Sequence, residues 1–383
     1  MTENRASIFV SVAVLLASAP WFSGTAVAPR LSAEWRLDAH GAAALTSAVQ
    51  LGFVAGTFLY AALNLADIFN ARRVFFLSAI AAGLANLAFA WLSNGLRTGL
   101  ALRFATGLFL AGVYPVGMRI VASWSRTGLG WRLGLLVGAL TLGTASPFLI
   151  RAIGTGLDWR SIASVASLSA AVGAAIPMMM HDGPHLQKRA RFDAAMLFRV
   201  FRIPPFRRAA FSYFGHMWEL YAFWSLLPAY LSARAIGTAW QSAVPALVFA
   251  TIGMGAVGCV AGGWISRAVG ERRVAVVSLV SSAMMCALSG FAYELPVVVL
   301  VAYVSLWGIV VVSDSPQFSA LSARACPPEY TATALTVQNG IGFAITIASI
   351  QVLPIAAEVI GWRWVFVCLA PGPALGAWVL RSR

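Results

Sequence analysis

Of the 383 residues, 60% are hydrophobic and only 10% are charged, and the mean hydropathy is +0.81. A soluble domain carries about 25% charged residues, so composition excludes an ordinary soluble globular protein and indicates a polytopic membrane protein. The formal net charge of +14 does not indicate nucleic acid. The basic residues are all Arg except Lys188, and all but Arg103 sit in the connections between apolar runs, where their natural partner is the anionic face of a membrane.

Apolar runs of spanning length fall at 7–28, 42–64, 74–92, 98–121, 132–152 and 160–180, and then at 209–231, 241–264, 274–292, 297–320, 331–352 and 362–380. Their length and scattered Gly and Pro predict α-helices and not the short alternating segments of a β-barrel. The expected fold is all-α and integral to the membrane, with twelve transmembrane helices. The N-terminal run continues through Trp21 and Phe22 into further spans, so it reads as an uncleaved first helix. The stretch 181–208 is longer than the other connections. It holds Lys188, Arg189, Arg191, Arg199, Arg202, Arg207 and Arg208 together with Pro204-Pro205, and reads as a basic linker between residues 1–180 and 209–383. Nineteen basic residues lie in connections on one side and seven on the other, which orients the linker and both termini to the cytoplasm of a bacterial-type inner membrane.

The chain repeats itself. Leu63-Asn64-Leu65-Ala66-Asp67-Ile68-Phe69-Asn70-Ala71-Arg72-Arg73-Val74 recurs two hundred residues later as Gly263-Trp264-Ile265-Ser266-Arg267-Ala268-Val269-Gly270-Glu271-Arg272-Arg273-Val274. Ser78 falls on Ser278, and Trp21 on Tyr221. Asp158-Trp159-Arg160 opens the sixth run and Gly361-Trp362-Arg363 the twelfth. A period this long, with each copy flanked by the same hydrophobic pattern, indicates a duplicated membrane unit.

These residues resemble the major facilitator superfamily. Its signature between helices 2 and 3 is Gly-x-Leu-Ala-Asp-Arg-x-Gly-Arg-Arg/Lys-Arg/Lys. Leu65, Ala66, Asp67, Arg72 and Arg73 match it in the first copy, whereas Gly263, Gly270, Arg272 and Arg273 match it in the second, with Arg267 standing where the Asp belongs. Arg103-Phe-Ala-Thr-Gly107 resembles the family's Arg-x-x-x-Gly element, and Gly143-Thr-Ala-Ser-Pro147 loosely resembles its antiporter motif. The resemblance implies two six-helix pseudo-repeats around a central cavity. It also implies a cytoplasmic gate built from Asp67, Arg72, Arg73, Arg267, Arg272 and Arg273. In that role Asp67 would bond the open N–H groups of a helix start or pair with an Arg. The alternative is a mere topological anchor.

Ionisable residues inside spans are functional candidates by default. Tyr213, His216 and Glu219 are spaced to share one face of the seventh span, so Glu219 is either a proton carrier with His216 as its partner or half of a hydrogen-bonded structural pair that keeps its protonation. Arg103 either attracts an anionic substrate or bridges helix carbonyls. Asp314, in Ser313-Asp314-Ser315-Pro316, is either a second proton or cation site, or the cap of a helix that breaks and restarts at Pro316. Trp21, Ser23, Thr25, Gln50, Tyr221, Gln338 and Asn339 are candidate cavity residues. The Gly-x-x-x-Gly pairs at Gly52, Gly134 and Gly258 read as internal packing sites.

The expected function is secondary transport of a small molecule by alternating access, driven by protons, with export favoured. Uptake or exchange of a small organic anion through Arg103 is the alternative, and a non-transporting receptor a third reading. The four cysteines show no metal-ligand spacing, and neither a nucleotide loop nor a nucleophile–base constellation is apparent, so no cofactor, metal or enzymatic activity is expected. The partners are the substrate, protons and membrane lipids, and the protein is expected to act as a monomer.

Overall fold

The computed structural model describes residues 1–125, 129–185, 199–327 and 331–382, without the side chains of Ala66, Asp67, Leu129 and Ala332. The linker residues Lys188, Arg189 and Arg191 and the carboxylate of Asp67 therefore lie outside the described residues.

In lipid a segment must bond all its own backbone groups, and the apolar runs accordingly become helices. In chain order these are α1 (Glu3–Ala17), α2 (Ser23–Trp35), α3 (Ala39–Ala62), α4 (Leu65–Ile68), α5 (Ala71–Leu92), α6 (Leu96–Leu110), α7 (Tyr114–Trp124), α8 (Leu129–Ile153) and α9 (Trp159–Met178). They continue with α10 (Pro204–Ala235), α11 (Val244–Val269), α12 (Glu271–Ala292), α13 (Val297–Val310), α14 (Ser315–Ala325), α15 (Thr331–Trp364) and α16 (Pro371–Arg381). Among the described residues nine segments are long and apolar enough to cross a bilayer. The twelve-helix fold includes three further crossings. The first span is divided between α1 and α2, α10 carries polar residues along its length, and the last two spans run together from α15 into α16. Within α15, Gly361 has φ 77°, a left-handed conformation that glycine adopts without strain, and the chain turns back there.

Three spans that look continuous in sequence are broken. α1 ends at Ala17 and α2 starts at Ser23, with Pro20 between them. α6 gives way to α7 at Tyr114-Pro115, and α13 to α14 at Ser315-Pro316. Proline lacks the N–H that would continue the ladder but suits the first turn of a new helix, so Pro115 and Pro316 restart the chain at the second and third breaks, whereas Pro20 lies in the turn before α2. The sequence anticipates the third break only.

The duplication survives in three dimensions. Arg72 donates to the carbonyl of Met180, and Arg272 donates to the carbonyl of Leu380 at 2.9 Å. The two donors are repeat-equivalent, and so are the two acceptors. In each half the arginine after the hinge ties the start of the third span to the end of the sixth. The two halves meet along α8 with α11 and α3 with α15. Gly134 permits the first contact, since a Cβ there would lie 2.9 Å from the Cys259 carbonyl. The Gly52 and Gly258 pairs instead pack inside their own halves, against α6 and α13.

Candidate functional site

Between the halves, aromatic rings fill the centre of the bundle. Trp21 and Tyr221, the repeat-equivalent pair, stack at 5.7 Å with an interplanar angle of 28°. Phe53 of α3 and Phe343 of α15 approach to 4.4 Å, and Trp21 lies 4.8 Å from Phe53. Phe343 also contacts Tyr221 at 5.1 Å. Each of these four rings is buried. Several buried polar atoms nearby in sequence find no hydrogen-bond partner among the described residues: Trp21 Nε1, both amide atoms of Gln50, Trp224 Nε1 and Gln338 Nε2. Gln50 lies one turn from Phe53 on α3. Gln338 accepts a hydrogen bond from Ser322 through Oε1, and half-buried Asn339 lies one turn from Phe343.

In the first half, Arg103 of α6 is fully buried and serves the break in the first span. Its guanidinium donates to the carbonyl of Pro20 at 2.9 Å, to Ser23 Oγ at 3.1 Å and to Asn86 Oδ1 at 2.8 Å. A further bond goes to the Trp21 carbonyl. The break frees carbonyls that no α-helical N–H reaches, and it points the negative end of α1 at the arginine. Arg103 thus bridges helix carbonyls, the second of the two sequence readings. Asn86 is part of the same network through the Ala163 carbonyl and Ser167.

The second half holds two acidic centres beside α10: Glu219 on that helix, and Asp314 at the start of α14. Three donors converge on Oε1 of Glu219: Ser282 Oγ at 2.5 Å, Trp307 Nε1 at 2.7 Å and Cys286 Sγ at 3.3 Å. The partner expected for Glu219 is engaged elsewhere, which corrects the sequence reading. His216 shares the helix face with Glu219, but its Nδ1 lies 3.0 Å from Asp314 Oδ1. Its Nε2 shares a proton with Ser315 Oγ at 2.7 Å. A second correction concerns Asp314. It occupies the position before α14 as a cap would, yet its side chain makes no capping hydrogen bond within the helix and turns to the imidazole. The physical reason is burial. A carboxylate without solvent gains more from a cationic or hydrogen-bonding imidazole than from one backbone N–H. Tyr213 packs on the imidazole at 5.9 Å. Sequence spacing missed Ser282, Cys286, Trp307 and Ser315. The repeat carried a signal, because Cys286 occupies the position of Asn86.

At the hinge end, Asn70 caps α5 by accepting from the N–H groups of Arg72 at 3.0 Å and Arg73 at 3.4 Å. Asp182 then accepts from Arg72 Nε at 2.7 Å and from Asn70 Nδ2 at 2.9 Å. The Arg72 guanidinium beside it holds the Asp182 carboxyl below its ordinary 3.8, with Asn70 assisting. The role expected of Asp67 lies outside the described residues. In the second copy Glu271 pairs with Arg324 at 2.7 Å, and Arg267 crosses to the other half, stacking on Trp131 at 5.8 Å. Arg73 is exposed. At the opposite end, Glu34 pairs with Arg160 at 2.7 Å and accepts from Trp159 Nε1 at 2.6 Å, and both partners hold its carboxyl below the usual range.

No curated protein sequence matches the chain. Solved structures do. The proton:xylose symporter XylE bound to 6-bromo-6-deoxy-D-glucose is 11% identical, with 98% of this chain and 95% of that chain covered and a TM-score of 0.76. A partially occluded inward-open xylose transporter XylE from E. coli is 12% identical over 100% of both chains, also with a TM-score of 0.76. The nucleoside transporter NupG (D323A mutant) is 13% identical over 98% of both chains, with a TM-score of 0.70. At these identities the likeness speaks for the fold. The family model for the Major Facilitator Superfamily matches residues 10–350. With the repeated hinge, the two six-span halves and that match together, the chain belongs to the Major Facilitator Superfamily.

Proposed function

We propose that the protein is a proton-coupled secondary transporter in which residues 1–180 and 209–383 rock against each other about the central aromatic cluster. The observation that carries this reading is the pairing of His216, Asp314 and Ser315 beside a second buried carboxyl, Glu219, all between α10 and the broken tenth span. A buried carboxyl in lipid is costly unless its charge is managed. Here the managing groups come from different helices, so movement of α10 against α14 or α12 changes the cost of ionisation. In Glu219 all three donors fall on Oε1, which leaves Oε2 to take a proton. The proton:xylose symporter with the same fold supports proton coupling as the driving force.

The substrate site we assign to Trp21, Gln50, Phe53, Tyr221, Gln338 and Phe343. Its rings suit a substrate with an apolar or planar body, and the unpartnered amides and indole N–H supply hydrogen bonds for orientation. Such a body is also the ground for favouring export. The organic-anion reading loses support, because both terminal nitrogens of Arg103 are spent on the first-span break. The excess of arginine at the hinge end supports a cytoplasmic position for that end, where Arg267 of one half against Trp131 of the other acts as a closing contact. The path lies between two halves of one chain, so a monomer suffices.

The test has two stages. A thermal-shift screen of purified protein identifies a ligand, and proteoliposomes then report its flux with and without a pH gradient. Gradient-driven accumulation that disappears in Glu219→Gln or Asp314→Asn, with exchange retained, is the expected result. Accumulation by both variants at the unmodified rate would overturn the proton assignment.

A further inference from the structure

One flank of the α8–α11 contact carries a groove of about 570 Å³. Its wall is a single stripe of α11, Ala256, Val257, Val260, Ala261 and Trp264, closed by Trp131 of α8. Trp264 is 68% exposed and Val257 53%, so the stripe faces outward to the bilayer and not into the protein. Arg267 stands at the hinge end of the stripe. Its guanidinium is exposed and lies over the Trp131 ring. It makes neither an ion pair nor a hydrogen bond with any described residue.

At 1.5 Å per residue, the stripe from Ala256 to Arg267 runs about 16 Å along the helix. That is roughly half of a ~30 Å hydrocarbon core, the depth of one leaflet. A groove that is apolar for one leaflet and ends in an unpaired cation flanked by two indoles has the shape and charge of a phospholipid. We infer that it binds an anionic phospholipid. The acyl chain lies along α11, the phosphate meets Arg267, and Trp131 and Trp264 sit at headgroup level. A zwitterionic lipid would offer the same chain but no net negative charge to the guanidinium.

The site has a consequence for transport. Trp131 belongs to the first half and the rest of the groove to the second, beside the close approach of Gly134 and Gly263. A lipid seated there touches both halves and favours the arrangement in which α8 and α11 are together at the hinge end. The sign change from Asp67 to Arg267 then has a physical meaning. The second copy of the hinge has exchanged a carboxylate for a lipid-binding cation. The inference rests on the chain being a membrane protein and not on its orientation or coupling, because a nanodisc offers the lipid on both faces.

The experiment uses full-length protein in nanodiscs of phosphatidylcholine, alone or mixed with phosphatidylglycerol. Native mass spectrometry after release counts the lipids that stay bound. Retention of phosphatidylglycerol over phosphatidylcholine is expected. Arg267→Gln should weaken that preference roughly fivefold, the factor that corresponds to about 1 kcal/mol per basic residue at an anionic surface. Ala261→Trp, which fills the groove without altering charge, should weaken it similarly, and Arg207→Gln at the exposed start of α10 should not. Equal retention of the two lipids, or an unchanged preference in Arg267→Gln or Ala261→Trp, would overturn the site. Loss of the preference equally in Arg207→Gln would reduce it to diffuse surface attraction.

Discussion

His216 Nδ1 and Asp314 Oδ1 stand 3.0 Å apart, joining the middle of α10 to the break in the tenth span, and both side chains are buried. The contact crosses two helices that contribute to the same half. A histidine on an unbroken helix thus reports on the geometry of a broken one. Removing the carboxylate charge by Asp314→Asn leaves the imidazole with Ser315 alone. Leaving a buried polar partner unsatisfied costs about 1–3 kcal/mol, so the thermal midpoint should drop, and His216→Gln in the same background should add little. Additive losses from the two substitutions, read by thermal denaturation in detergent, would show that the residues do not act as a pair.

Arg103 is expected to be a keystone of the first span. Arg103→Gln removes donors from the Pro20 and Trp21 carbonyls, Ser23 and Asn86 at once. Each buried group left unsatisfied costs about 1–3 kcal/mol, so the variant should be poorly stable or fail to accumulate. Arg103→Lys should rescue only part, because a point charge cannot reproduce the forked contacts. Wild-type stability in Arg103→Lys, measured by thermal shift, would contradict this account.

The Asp182–Arg72 clamp predicts a pH dependence of stability. Asp182 has its carboxyl held below 3.8 in the folded protein. A depressed folded value means that the stabilisation is present above the unfolded pKa and is lost as pH falls through the folded one. Lowering the pH from neutral to below 4 should therefore destabilise the wild type more than Asp182→Asn. The difference should be small, because Asp182 is 44% exposed and solvent screens it. Parallel melting-temperature curves for the two proteins across that window would refute the clamp.

The stacked pair Trp21 and Tyr221 offers a test of the central cluster. Aromatic pairs contribute about 0.5–1.5 kcal/mol beyond their buried area. A double-mutant cycle of Trp21→Leu and Tyr221→Leu should return a coupling of that size in the absence of ligand. If the pair also lines the substrate site, each substitution should reduce the ligand-induced thermal shift while Trp91→Leu, on the outer surface, leaves it intact.

Much of this molecule was legible in the chain. Twelve apolar runs could become only helices, since no other open structure satisfies its backbone in lipid. The two hinge copies announced the duplication, which the structure repeats down to Arg72 on Met180 and Arg272 on Leu380. The intramembrane positions of Arg103, Glu219 and Asp314 were also visible, because a charge interrupting an apolar run needs no alignment to be noticed. Which of them belong together was not. Helical spacing joined His216 to Glu219, as it joins any residues three apart, and it had no access to Asp314, Ser282 or Trp307 on other helices.

The breaks show the same division. Pro20, Pro115 and Pro316 are plain in the sequence, but a proline in a membrane helix can be absorbed by neighbours or can end the helix. Only the packing of Arg103 against the freed carbonyls of the first span decided the outcome there. The sequence alone determined the helical spans, their number and the repeat, because local backbone satisfaction and hydrophobicity suffice for those. Tertiary structure decided the partners of each buried charge, because in a low-dielectric interior the stabilising group is whichever polar atom lies within hydrogen-bond reach, and that reach crosses helices far apart in the chain.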